Sequence, residues 1–225
     1  MNKQTDDFEP NTGNAILDIL HSFGIEERLD WIEKAFESIS NFYGNEKDVP
    51  PDVRALREKK SFVPEDYVLL ADECQSCGKD QLAAVLYAAG CSTAGVTEKR
   101  GEALIKLADL YMISERPKEL GHKRDVMLAV DLLSETLTMG CADKAKEAIE
   151  GMREQLFDEY DEEPDFLGFA NKYPPDELCF AAFCLGVGIG WRKDVPAAAR
   201  FYGAALAEGY ERASYYLNEI RNGRV

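Results

Sequence analysis

The residue types in this chain best suited to chemistry are its six cysteines, its two histidines and one dense acidic run. Cys74 and Cys77 have the C-x-x-C spacing that serves thiol redox chemistry or supplies half of a zinc site. A redox pair needs its nucleophile at a helix N-terminus, where the macrodipole stabilises the thiolate. Here the pair falls at the C-terminal end of a helix, which opposes thiolate formation. Zinc needs four ligands, and Cys91 lies about eleven residues along the following antiparallel helix, roughly 16 Å from its start. Cys74 and Cys77 are therefore expected to be free thiols. Cys179 and Cys184, five residues apart, project from different faces of one helix, and Cys141 follows Gly140 with no partner at ligand spacing. His21 and His122 sit in separate regions, neither beside a cysteine or carboxylate arrangement that marks a triad or a metal site. The run Asp158-Glu-Tyr-Asp-Glu-Glu-Pro-Asp165 holds six carboxylates but lacks the alternating oxygens and central glycine of a calcium loop. It reads as a solvated connector, with a docking stretch for a basic partner as the alternative. Gly186, Gly188 and Gly190 follow no strand and precede no phosphate-loop Lys-Ser/Thr pair. The expectation is a protein that is not an enzyme and holds no metal or cofactor.

The elements that carry these residues are organised around the stretch Glu177 to Ala213. A helix with Ala181, Ala182 and Leu185 is broken at Gly188 and Gly190, and Asp194 follows as an N-cap with Pro196 inside the first turn. Ala198, Phe201, Tyr202, Ala205 and Leu206 recur at steps of three and four, one apolar stripe. Gly209, fifteen residues after Asp194, ends the second helix. The same frame recurs after Asp125, with Ala129, Leu132, Leu133, Thr136, Leu137 and Gly140. It recurs again after Asp80, with Ala84, Tyr87, Ala88, Cys91 and Gly95. Three copies of one helix-length frame indicate a repeat protein.

The pattern resembles the Sel-one-like repeat, a relative of the tetratricopeptide repeat. The block from Glu177 to Arg212 fits without a gap, although Glu177, Trp191 and Leu206 depart from the residues usual in the family. A second block, with Ala103, Leu107, Ala108, Tyr111, Gly121, Asp125 and Ala129, fits if its turn carries about five extra residues. The Asp80 block keeps the second helix but has Cys74 to Cys77 where the glycines belong. Residues 144–176 fit poorly, yet the spacing of Asp125 and Asp194 leaves room for one more unit. The resemblance covers roughly residues 62–225. It implies an all-α fold, a right-handed α-solenoid of antiparallel helix pairs, with about four repeats and an N-terminal helical cap. It also implies a scaffold whose concave face, mainly first-helix side chains, holds a peptide or protein surface.

Taken in order, residues 1–12 read as a disordered tail and 13–60 as a helical cap and linker. The repeat domain is expected over 61–225. In the cap, Ile16, Ile19, Leu20 and Phe23 face inward on a short helix. Leu29, Ile32, Phe36 and Ile39 form the stripe of a longer helix ending near Tyr43, and Asn45 to Pro51 is a linker. No segment shows the period-two alternation of a strand. The formal net charge of −16 argues against nucleic acid as a partner and disfavours an anionic membrane surface, while a basic protein partner is compatible with it. The N-terminal residues show no basic-then-apolar signal segment, and cysteines out of register with the repeats fit reduced thiols in a cytoplasm. The function expected is a cytoplasmic, non-catalytic protein-interaction scaffold. The alternative is an acidic immunity or inhibitor protein that neutralises a basic toxin or nuclease. Trp191 is expected to fill an inter-repeat gap; in the competing reading Trp191 and Arg192 form a rim contact for the partner, with Tyr111 a further contact residue.

Overall fold

Apolar residues at helical spacing, punctuated by capping residues and glycines, dictate short helices joined by tight turns, and the computed structural model shows this arrangement. It describes residues 16–17, 19–20, 28–93, 98–112, 126–137, 140–157 and 164–223. Among the described residues there are eleven bounded α-helices and no strand. They are α1 (Arg28–Tyr43), α2 (Pro51–Leu56), α3 (Pro64–Ser76), α4 (Asp80–Thr93), α5 (Glu98–Met112), α6 (Val126–Thr136), α7 (Ala142–Leu156), α8 (Phe166–Lys172), α9 (Pro175–Val187), α10 (Val195–Ala207) and α11 (Ala213–Arg221). Contacts gather into two compact units that divide between Lys144 and Ala145, inside α7.

In the N-terminal unit, α3 packs against α4 and α5 against α6, while α4 also meets α5. Helix α4 is buried nearly all round, with Ala83, Ala84, Val85, Leu86, Tyr87, Ala88 and Ala89 each at most 1% exposed, as expected of a central helix. Small residues permit the close approach: a Cβ on Gly90 would sit 3.1 Å from both the Pro64 carbonyl and Val68 Cγ2. The start of α3 thus lies on the end of α4, an antiparallel pair. Helix α1 lies against this pair, touching both α3 and α4. Ile16, Ile19 and Leu20 are buried as the pattern requires, while Phe23 lies outside the described residues. The α1 stripe is rotated from the expected one. Trp31, Ala35 and Ile39 are buried, whereas Ile32 and Phe36 are half-buried, and the Arg57 guanidinium lies 5.2 Å above the Phe36 ring. The Leu29 side chain lies outside the described residues. The expected linker is also more structured than its prolines suggest. Glu46–Asp48 form a 3₁₀ turn, and Pro51 opens α2, because a missing N–H costs nothing at the first helical position.

In the C-terminal unit, α9 and α10 are the dominant pair, α8 lies on α10, and α11 packs on α10 as a closing half-pair. Helix α9 is buried from Glu177 through Gly186. Its core is aromatic. The Phe157 ring lies 5.2 Å from Phe169, 4.9 Å from Tyr173, 5.6 Å from Trp191 and 6.2 Å from Phe180. Phe201 joins this cluster through Phe169, at 5.8 Å.

The helix ends follow local chemistry. The Asp194 carboxylate accepts from the Ala197 N–H at 2.9 Å and caps α10, with Pro196 in the first turn. At its other end Gly209 (φ 89°) donates to the Leu206 carbonyl while Tyr210 N–H reaches back to Ala205, both at 3.0 Å. This paired closure needs a left-handed residue, which glycine adopts without a Cβ clash. The α3–α4 turn uses the same device, Gly78 bonding to Gln75 and Lys79 to Cys74. The glycine missing from the Cys74 block is therefore supplied one residue beyond Cys77. Gly188 (φ 75°) and Gly190 (φ 72°) make the α9–α10 turn. Gly140 does not take a positive φ: α6 has already closed at Thr136, where the Leu137 N–H and the Thr136 hydroxyl both reach the Leu133 carbonyl. Gly95 and Asp125 lie outside the described residues.

Candidate functional site

The cysteines do not assemble into a site. All six are free and buried, and among the described residues no three His, Cys, Asp or Glu side chains cluster as metal ligands would. Cys74 lies in the last turn of α3 and Cys77 is its C-cap residue, the end of a helix that disfavours a thiolate. Burial, the neighbouring Cys77 and Glu73 push the Cys74 thiol up to about 12. Burial and the Glu73 carboxylate push Cys77 up to about 11, and burial holds Cys91 and Cys179 at about 12. Such thiols are protonated and inert at neutral pH. His21, His122 and the acidic residues 158–163 lie outside the described residues.

A polar cluster joins α3, α4 and α5. Tyr87 donates to Asp72 Oδ1 at 2.5 Å and lies 3.0 Å from Gln75 Oε1, while the Lys106 ammonium reaches the same Asp72 oxygen at 2.5 Å. Burial and the Asp72 hydrogen bond push the Tyr87 hydroxyl well above the usual phenol range. The members answer one another, so the cluster fastens three helices. Arg100 similarly ties the Cys91 carbonyl on α4 (3.1 Å) to both Glu135 oxygens on α6.

The C-terminal unit contains a cleft lined by three cationic side chains. It encloses about 680 Å³ beside α8, the α9–α10 turn and the first turns of α10, within the 300–1,000 Å³ range usual for ligand pockets. Leu185 and Phe201, both buried, are its apolar floor, and Leu167 stands on its edge 66% exposed. Arg192, Lys193 and Arg200 line it and are exposed. The Arg200 guanidinium sits 4.4 Å above the Phe166 ring, a cation–π contact that holds a long side chain in place without neutralising it. The two carboxylates in the wall, Asp165 and Asp194, are engaged as helix caps, each 2.9 Å from an N–H of its own helix.

Of the three residues expected to contact a partner, the cleft contains Arg192 alone. Trp191 is 6% exposed and packs among Phe157, Phe169 and the Arg153 guanidinium, 5.3 Å from its ring. The indole is thus packed inside the C-terminal unit. Tyr111, 4% exposed, is likewise inside. Among the repeat positions, Asp80 is buried in the first turn of α4 and Gly188, Gly190, Asp194 and Gly209 shape the ends of α9 and α10. Lys193, Arg200, Phe166 and Leu167 were not singled out from sequence. The available signal was local: Arg192 and Lys193 followed by Arg200, beside a helix N-terminus in an acidic chain. The resemblance implied first-helix side chains, whereas this cleft is lined by α8, the α9–α10 turn and α10. Comparison with family models, with curated proteins and with solved structures finds no match. Among the described residues no helix is long and apolar enough to cross a membrane.

Proposed function

We propose that this chain is a non-catalytic protein-interaction module of the Sel-one-like repeat type, which holds a segment of a partner protein. The resemblance rests on the Asp194–Gly209 frame; the Asp194 cap, the left-handed Gly209 and the buried Ala198, Phe201, Tyr202 and Ala205 support it, while Leu206, expected in the same stripe, is 37% exposed. The observation that carries the function is the cleft beside α8 and α10, where exposed Leu167 stands with Arg192, Lys193 and Arg200. Exposed apolar side chains beside arginines are the composition of binding surfaces. Affinity capture on the tagged full-length chain in its native host, followed by reconstitution from purified components, tests the proposal. A partner that re-forms a stoichiometric complex by calorimetry is the expected result; failure of every captured protein to rebind would overturn it.

A further inference from the structure

The overall charge of −16 points toward basic partners, but the cleft has the opposite local character. Its wall carries three cationic and two anionic side chains. Both carboxylates are turned to backbone N–H groups of their own helices, while among the described residues no ion pair engages Arg192, Lys193 or Arg200. We infer that the cleft binds an acidic segment of another protein, an extended stretch with carboxylates on either side of one large apolar residue. The apolar residue would cover Leu167 and enter the floor at Leu185 and Phe201. The flanking carboxylates would meet Arg192 and Lys193 at the turn and Arg200 on α10. Arginine suits this task because its planar fork takes a carboxylate with two parallel hydrogen bonds, and Phe166 already holds the Arg200 fork in place.

A polyphosphate fits less well, because it would leave the exposed Leu167 uncovered. A cleft of about 680 Å³ also has room for several side chains rather than one ion.

This inference rests on the interaction-module reading and specifies the site and chemistry of its partner. The probe is a library of fluorescein-labelled octapeptides, acidic with one central leucine or phenylalanine, read by fluorescence anisotropy against the full-length chain. Reversed-charge copies with lysine for each acid and a single-stranded oligonucleotide are the comparisons. Acidic peptides are expected to saturate the protein, and to lose roughly tenfold or more in affinity on Arg192→Glu or Arg200→Glu, as arginine contacts at binding centres do. Leu167→Ser is expected to weaken the same peptides, whereas Lys60→Glu, on an exposed residue far along the chain, should not. All four positions are exposed, and circular dichroism confirms that each variant is folded. Binding of the lysine copies or the oligonucleotide in preference to acidic peptides would overturn the inference, as would acidic binding unchanged by both arginine reversals. A captured partner retained equally by both arginine variants would overturn the site while leaving the interaction module standing.

Discussion

Trp191 and Arg192 are adjacent in sequence and have opposite fates. The indole is 6% exposed within an aromatic cluster, and the guanidinium lies in solvent at the cleft. Trp191→Ala is therefore expected to destabilise the C-terminal unit by about 3–5 kcal/mol, the usual cost of truncating a large buried aromatic; an unchanged urea midpoint would contradict this. Gly190 is held by two constraints at once. Its φ is 72°, and an added Cβ would come within 2.3 Å of Arg153 Nε and 2.5 Å of Arg153 Cδ. Arg153 has little room to yield, because it is 5% exposed and stacked on Trp191. Gly190→Ala should cost about 1–3 kcal/mol from strain and overpacking, measured by thermal melting. The sequence identified Gly190 as a turn residue. Its second constraint was hidden, because Arg153 is far off in the chain and belongs to a stretch that fits the repeat poorly.

At the scale of single helices, α10 is the element most legible in the sequence, because everything that defines it is local. The Asp194 cap, the proline after it, the apolar steps and the closing Gly209 lie within one short span. Asp194→Ala should lower stability by about 0.5–2 kcal/mol through the lost cap. Gly209→Val should cost at least as much, since a β-branched residue resists a φ of 89°. Equal denaturation midpoints for both variants and the parent would show that these ends do not hold the helix. Helix α1 shows where local reading fails. Of the expected face Ile39 is buried, but Trp31 and Ala35 are buried where Ile32 and Phe36 are only half-buried, because the buried face is set by packing on α3 and α4 while Arg57 covers Phe36. The cleft was hidden for the same reason. Leu167 and Arg200 come from different helices, and only the packing of α8 on α10 makes them neighbours.

For the molecule as a whole, pH enters through the thiols. Cys74, Cys91 and Cys179 are held at about 12 and Cys77 at about 11, against an ordinary value of 9.0. A folded-state value above the unfolded one means that the native chain binds the proton more tightly. That contribution to stability is complete below about pH 9 and is lost as pH climbs through 11–12. Urea midpoints should thus decline from pH 9 upward, and a flat profile to pH 11 would refute the thiol contribution. In the unfolded chain all six cysteines should react as free thiols, whereas under native conditions a disulfide reagent should modify them slowly. Each sulfur can then be read as a clock for the opening of its own surroundings. Cys74, Cys77, Cys91 and Cys141 belong to the N-terminal unit, and Cys179 and Cys184 to the C-terminal one. The order in which masses shift during slow native labelling therefore reports which half of the chain breathes first, without a single engineered probe.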